Sequence, residues 1–308
     1  MQMTSTPIPV KGFALPLVLI VIALLAVLSM GLSQMARNRM ADLQLRKDMW
    51  TSEKVAQDIV HQSVYAMLVG QYSERELLFD GNSIPLDGRP FKWGGVELRI
   101  QDEAGLMSLA FYNRKMFNRL LEQLTDSKTA FRISAELADW VDEDNTRQFG
   151  GMEAANYISK GLLQSPRNAP IRSLNELLEL PSMTIELFNG GNGRDGLVDF
   201  LAAGGSDFFN VATAPDRVLA PVLGLSKGAE TRLLSYKKQG DWSQIISMVD
   251  SRHWLFDGLS PLSHGNRYRF SIKGSEGRAV KARVLLSPYR EDRLFSLIDW
   301  RAPHYKSE

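Results

Sequence analysis

The densest set of oxygen donors in the chain is Asp139-Trp140-Val141-Asp142-Glu143-Asp144-Asn145. Asp139 and Asp142 stand three apart and would share one face of a helix. Asp142 and Asp144, placed in a loop after that helix, can close around a hard cation such as Ca2+, which takes about six to eight oxygen ligands. The spacing is not that of an EF-hand, whose fixed glycine and terminal bidentate glutamate are missing. A helix end with solvated carboxylates is the alternative, and spacing alone leaves both open. There is no cysteine, which excludes thiolate metal sites, disulfides and cysteine nucleophiles. His61, His253, His264 and His304 lie far apart and read as surface or packing residues rather than as a triad or a metal site. No nucleophile–base pairing stands out, so the chain is expected not to be an enzyme. Gly190-Gly191-Asn192-Gly193 lacks a preceding strand and a Gly-Lys-Ser/Thr, and it reads as a flexible loop rather than a phosphate cradle.

The acidic cluster belongs to a stretch, residues 114 to about 238, that reads as mostly helical. Met116, Leu120, Leu121 and Leu124 form one apolar stripe; Leu137, Ala138 and Val141 form a second; Leu174, Leu177, Leu178 and Leu180 form a third, ended by Pro181. Leu177 to Pro181 and Val222-Leu223-Gly224-Leu225-Ser226 look like small hairpins. The second sits between two helices, as does the turn of helix-hairpin-helix DNA-binding motifs, where amides at a helix N-terminus hold a phosphate. Its basic neighbours are only Lys227, Arg232, Lys237 and Lys238. A formal net charge of +1 over 308 residues also argues against a strongly basic nucleic-acid binder. On either side of the helical stretch the pattern is that of strands. Val96 to Ile100 alternates apolar with charged residues, and Leu106 to Tyr112 reads as a second short strand. Tyr268, Phe270 and Ile272, then Val280, Ala282 and Val284, predict a hairpin turning at 274–277, and Leu294 to Ile298 leads to Trp300. Asp80-Gly81-Asn82 and Asp87-Gly88-Arg89-Pro90 mark turns.

Near the N-terminus the run from Phe13 to Met30 contains no charged residue. As a helix it spans about 27 Å, close to the thickness of a bilayer's hydrocarbon core. Helical periodicity then continues through Ala56, Ile59, Val60, Val64 and Met67, with no proline or glycine between Leu32 and Val69. This predicts one helix over about 13–69, half in the lipid bilayer and half packed on a globular body. Positive charge is scarce before the run and plentiful after it (Arg37, Arg39, Arg46, Lys47), the reverse of the pattern that would hold the body outside the cytoplasm.

Lys11-Gly12-Phe13, a short polar leader followed by the apolar run, resembles the class III signal of type IV pilins and pseudopilins. That resemblance implies cleavage after Gly12 by prepilin peptidase, N-methylation of Phe13, retention of the run as a single-pass inner-membrane anchor and a periplasmic body. The family's glutamate at the fifth mature position is Leu17 here. A carboxylate without a neighbouring subunit's amine beside it is costly in an apolar setting, and the family's K-type minor pseudopilins of type II secretion lack it. Further matches to that subtype are Asn210-Val211-Ala212-Thr213-Ala214-Pro215, which is close, and Leu109 to Asn113, which is loose.

The K-type resemblance implies an α+β, type IV pilin-like fold with a long N-terminal transmembrane helix, a small antiparallel sheet and a large inserted α-helical domain. The expected divisions are 1–12 leader, 13–36 transmembrane half-helix, 37–113 periplasmic half-helix and first strands, 114–240 inserted helical domain, and 241–308 closing strands. It implies a structural subunit capping and initiating the pseudopilus that exports folded proteins. Its expected partners are I- and J-type minor pseudopilins, the major pseudopilin, prepilin peptidase and the inner-membrane secretion platform, with no nucleic acid. It also implies a structural Ca2+ held by Asp139, Asp142, Asp144 and Glu153, with Ala154 and Ala155 replacing two of the subtype's acidic positions. The alternative is a membrane-anchored helix-hairpin-helix type DNA-binding protein of a DNA-uptake or pilus system.

Overall fold

The computed structural model describes residues 14–110, 113–191, 193–204, 208–249, 260–274 and 279–302. It divides into two units, 1–55 with 304–308, and 56–303. A single helix, α1 (Ala14–Leu68), runs through the first unit and into the second. Its apolar residues from Leu15 to Met35 are exposed, Leu17 among them. A helix that is apolar all round and unburied is suited to lipid. Among the described residues, α1 is the one helix long and apolar enough to cross a membrane.

In the second unit the periodicity of α1 changes from uniform to one-sided. Ala56, Ile59, Val60, Ser63, Val64 and Met67 are buried, and Gln57, Asp58, His61 and Gln62 between them are exposed. A hairpin follows, β1 (Glu76–Phe79) with β2 (Asn82–Pro85), turning at Asp80-Gly81. Next come β3 (Phe91–Trp93) and β4 (Val96–Asp102), and after the helical insertion β9 (Arg267–Lys273), β10 (Ala279–Leu286) and β11 (Phe295–Arg301). These five form one antiparallel sheet in the order β11-β10-β9-β4-β3. The period of two in the strands puts Leu98, Ile100, Tyr268, Phe270, Ile272, Val280, Ala282 and Val284 on the face that packs with the buried stripe of α1. The alternate residues occupy the other face, and most of them are charged: Glu97, Arg99, Arg267, Arg269, Lys273, Lys281 and Arg283.

The insertion between β4 and β9 has its own core. A 3-10 turn (Glu103–Gly105) leads to β5 (Met107–Ser108), α2 (Arg114–Leu121), α3 (Ser127–Val141), α4 (Ala154–Ser159), a 3-10 turn (Leu174–Glu179) and α5 (Ile185–Asn189). Then follow β6 (Gly190–Gly191), β7 (Arg194–Asp195), a 3-10 turn (Leu197–Asp199), β8 (Leu201–Ala202), α6 (Asp216–Leu223), α7 (Lys227–Gln239) and α8 (Trp242–Met248). Phe117, Leu120, Leu121, Ile133, Leu137, Leu177, Leu219 and Leu233 meet in one buried cluster.

Four sequence expectations take a different form. The strand foreseen over 106–112 is only β5, and it pairs in parallel with β8 of the insertion rather than with the main sheet; residues 111–112 lie outside those described. Met107 and Leu109 accordingly pack in the helical cluster, ahead of residue 114. The glycine-rich loop at 190–193 is closed by the small β6–β7 ladder, with residue 192 outside the description. Past residue 240, α8 still buries Ile245 in the helical cluster, because Asp241 caps a new turn by accepting from the Gln244 amide at 3.3 Å.

Candidate functional site

Helix α3 positions the acidic cluster. Asp126 starts it by accepting from the Lys128 and Thr129 amides at 3.0 and 3.1 Å, a side-chain N-cap. Ile133, Leu137 and Trp140 hold its inner face in the core. The helix stops at Val141, and Asp142 is already extended, with φ −74° and ψ 160°. Carboxylate oxygens of Asp142, Asp144 and Glu153 then lie within 4.8 Å of one another. Glu153, at the N-cap position of α4, is 4% exposed, and both its oxygens lack a hydrogen-bond partner; Asp142 Oδ1 lacks one too. Burial pushes the Glu153 carboxyl up from its ordinary value, and the charges of Asp139, Asp142 and Asp144 add to the shift. The Asp142 carboxyl is raised for the same reasons, chiefly burial and then Asp144, against a hydrogen bond from Gln148. Converging carboxylates, some of whose oxygens are orphaned in a partly desolvated site, form the kind of donor set that a hard cation takes. This donor set fits Ca2+.

Asp139 is not one of the three. Its carboxylate is fully buried and accepts from the Gln148 backbone amide at 3.2 and 3.3 Å. Gly151 passes so close that a Cβ there would lie 2.2 Å from Asp139 Oδ2. Burial raises the Asp139 carboxyl, as does the charge of Asp142. Asp139 thus folds the loop 142–153 back over the end of α3, which brings Glu153 to Asp142 and Asp144. Asn156 is engaged elsewhere, its Oδ1 accepting from the Glu153 amide at 3.0 Å. Gly12 and Phe13 lie outside the described residues.

Sequence reading passed over a second acidic site, at the junction of sheet and insertion. Asp102, fully buried at the end of β4, accepts from Ala104 N at 2.9 Å through Oδ1. Its Oδ2 accepts from Asn210 Nδ2 at 3.1 Å, Thr213 Oγ1 at 3.2 Å and Gly265 N at 3.2 Å. Asn210 Oδ1 in turn accepts from the Ala212 and Thr213 amides at 2.9 and 3.4 Å. The Asn-x-x-Thr segment singled out in the sequence is therefore a receptor for one buried carboxylate. Gly105 makes the approach possible, since a Cβ there would be 2.5 Å from the Thr213 carbonyl. The neighbouring Glu103, its side chain 1% exposed, accepts from Arg269 Nε at 2.6 Å and from Arg283 Nε and Nη2 at 3.0 and 3.2 Å. Burial alone would push the Glu103 carboxyl up, but the two guanidinium groups outweigh it and hold it below the ordinary range. The signal for this site was two adjacent acids at a strand end, with basic positions on the closing strands.

With this geometry in place, the chain can be compared with known proteins. Residues 104–190, from the first insertion turn through the acidic cluster, match the family model of the type II secretion system (T2SS), protein K. The type II secretion system protein K of Klebsiella pneumoniae is 25% identical over 197 residues, covering 58% of this chain; the chain spans 60% of that relative's length. A chain in the crystal structure of the GspK-GspI-GspJ complex from the enterotoxigenic Escherichia coli type 2 secretion system aligns with a TM-score of 0.54 at 15% identity, over 87% of this chain and 100% of its own. The fold is α+β: a long N-terminal helix, apolar in its first half, packs its second half on an antiparallel sheet that a helical domain interrupts, and the aligned chain of the GspK-GspI-GspJ complex shares this fold. Within that fold, residues 104–190 resemble protein K of the type II secretion system.

Proposed function

We propose that the chain is a structural, non-catalytic minor pseudopilin that caps and initiates the type II secretion pseudopilus. The observation that carries this reading is the insertion of a K-type helical domain between β4 and β9, adjacent strands of the sheet packed on α1. In an assembly built by stacking such helices, a body enlarged this way, on a helix with Leu17 where filament subunits carry glutamate, suits the end of a filament. I- and J-type minor pseudopilins would pack beside it, as GspI and GspJ are found in complex with GspK, and the major pseudopilin would follow below. Prepilin peptidase would cut after Gly12, leaving an N-methylated Phe13, an inner-membrane anchor and a periplasmic body that works with the secretion platform. Mass spectrometry of the N-terminal peptide of the mature membrane protein tests this. A methylated Phe13 terminus is expected, whereas a terminus near residue 36, or an intact Met1, would contradict it.

A structural Ca2+ belongs to the same proposal. Asp142, Asp144 and Glu153 would supply its oxygens, and Asp139 would hold the loop that presents them. The orphaned oxygens of Asp142 and Glu153 support this. Titration calorimetry on the detergent-solubilised protein should give calcium binding that Asp142→Ala and Asp144→Ala each weaken by about tenfold or more, since each removes a ligand charge. Binding unchanged in both variants would remove the site.

Nothing in the fold favours the DNA-binding alternative. At the start of α7 the Ser226 hydroxyl accepts from the Ala229 amide at 3.4 Å, and so takes a donor that a phosphate would need.

A further inference from the structure

The face of the sheet turned away from α1 carries a charge pattern that the pseudopilin reading does not use. Arg99, Ser271, Lys281 and Arg301 are successive register partners across β4, β9, β10 and β11. In the next row Arg269 opposes Arg283, a like-charge pair that Glu103 bridges from beneath. In the first row Lys281 opposes Arg301 with no such bridge. Arg301 pairs along its own strand with Asp299 at 2.8 Å and Arg99 with Glu97 at 3.0 Å, while Lys281 has no ion pair or hydrogen bond to another described residue. Like charges placed directly opposite on a sheet face are destabilising. One row has a buried anion shared by both of its opposed cations, whereas in its neighbour Asp299 serves Arg301 and only the longer-range charge of Asp199 reaches Lys281.

This face forms the floor of a cleft of about 1000 Å³ lined by ten arginines and lysines against five aspartates. The insertion supplies the facing wall, where exposed Arg217 and Lys238 also have no ion pair among the described residues. We propose that the cleft binds an acidic polypeptide segment, one carboxylate of which lies between Lys281 and Arg301 as Glu103 lies between Arg269 and Arg283. Two observations favour a polypeptide over a nucleic acid or an anionic membrane surface. The five aspartates are interleaved with the cations, and they repel a ligand whose charge is continuous. The floor also ends at β11, an edge strand of the sheet whose outer side faces no described strand. An extended peptide can hydrogen-bond along such an edge.

The test uses the full chain in detergent and a peptide alternating Glu and Ser that carries an uncharged dye, read by fluorescence anisotropy. The Glu peptide should bind in a salt-sensitive way, and the matching Gln-Ser peptide should not. Lys281→Gln should weaken binding about tenfold, the loss of one charge-assisted contact, with Lys281→Gln/Arg301→Gln weaker still and Lys115→Gln, on α2, unchanged. In the absence of peptide, Lys281→Gln should raise the thermal midpoint, because it relieves the opposed pair. That opposite effect on binding and stability separates a binding site from a structural role. Undiminished binding by Lys281→Gln, no binding of the Glu peptide, or tighter binding of oligothymidylate or phosphatidylglycerol vesicles would each overturn the proposal. None of these outcomes depends on how the N-terminus is processed.

Discussion

Asp102→Ala is expected to destabilise residues 56–303 by about 3–5 kcal/mol, the cost of leaving several buried donors without an acceptor. The lost partners are the Ala104 and Gly265 amides, the Asn210 amide group and the Thr213 hydroxyl. Asp102→Asn keeps the volume but turns one acceptor into a donor, and should cost about half as much or more. The readout is chemical denaturation followed by tryptophan fluorescence, with a double-mutant cycle against Thr213→Val. A coupling of about 1 kcal/mol or more is expected, because the two side chains share one hydrogen bond. Additive losses would mean that Asp102 acts through something other than the Asn-x-x-Thr segment. The same variant should hasten proteolysis within 104–265, where the insertion would lose its tie to β4.

The second large effect is at Glu103. Its removal leaves Arg269 and Arg283 opposed across two strands with no anion, at an expected cost of about 2–4 kcal/mol, discounted from a fully buried pair because both arginines are partly exposed. For a body of this size that lowers the thermal midpoint by about 5–15 °C. The pH dependence follows from the direction of the shift. The folded Glu103 carboxyl titrates below its unfolded value of about 4.3, so its contribution is complete above that pH and is lost as the pH falls through the lower folded value. Glu103→Gln should therefore lose stability at neutral pH and show a shallower decline in acid than the parent. A parallel acid decline in both proteins would show that the carboxylate is not the group responsible. Removing the arginine with it, as in Glu103→Leu/Arg283→Leu, should recover part of the loss.

Local pattern carried the long helix, four of the five strands and the buried face of the sheet into view; β3, three residues long, was too short to show a periodicity. Fifty-five residues of α1 hold together because no proline or glycine interrupts the second half and each half has a consistent surface. β9 and β10 alternate strictly, and the structure buries the residues that alternation selects, whereas the edge strand β11 has no fully buried residue. The carboxylates of Asp142 and Asp144 were equally visible. Asp139 shares a helical spacing with Asp142, but α3 ends between them, so the two carboxylates do not act from one face. The loop that Asp139 and Gly151 fold back follows directly, through contacts nine and twelve residues along the chain that no spacing rule encodes. Glu103 had a local signal only in its place beside Asp102 at a strand end; its partners stand 166 and 180 residues away, where no spacing rule reaches. β5 was misread for a related reason: its partner β8 lies across the whole first half of the insertion, and two residues leave no periodicity.

The placement of the insertion has a consequence for how the chain reaches its native state. The central ladder joins β4 to β9, and the Asp102–Gly265 contact that closes it spans 163 residues of sequence. Closing a flexible loop of that length costs about 4–5 kcal/mol in chain entropy before any ladder bond forms, and non-local pairings of this kind are slow. The insertion can shorten the search, because its helices make near-neighbour contacts and can collapse first. Asp102 then reaches both the folded insertion, through Asn210 and Thr213, and the returning chain, through Gly265. One carboxylate thus works as a clasp on the loop, holding the insertion and the returning chain to the end of β4.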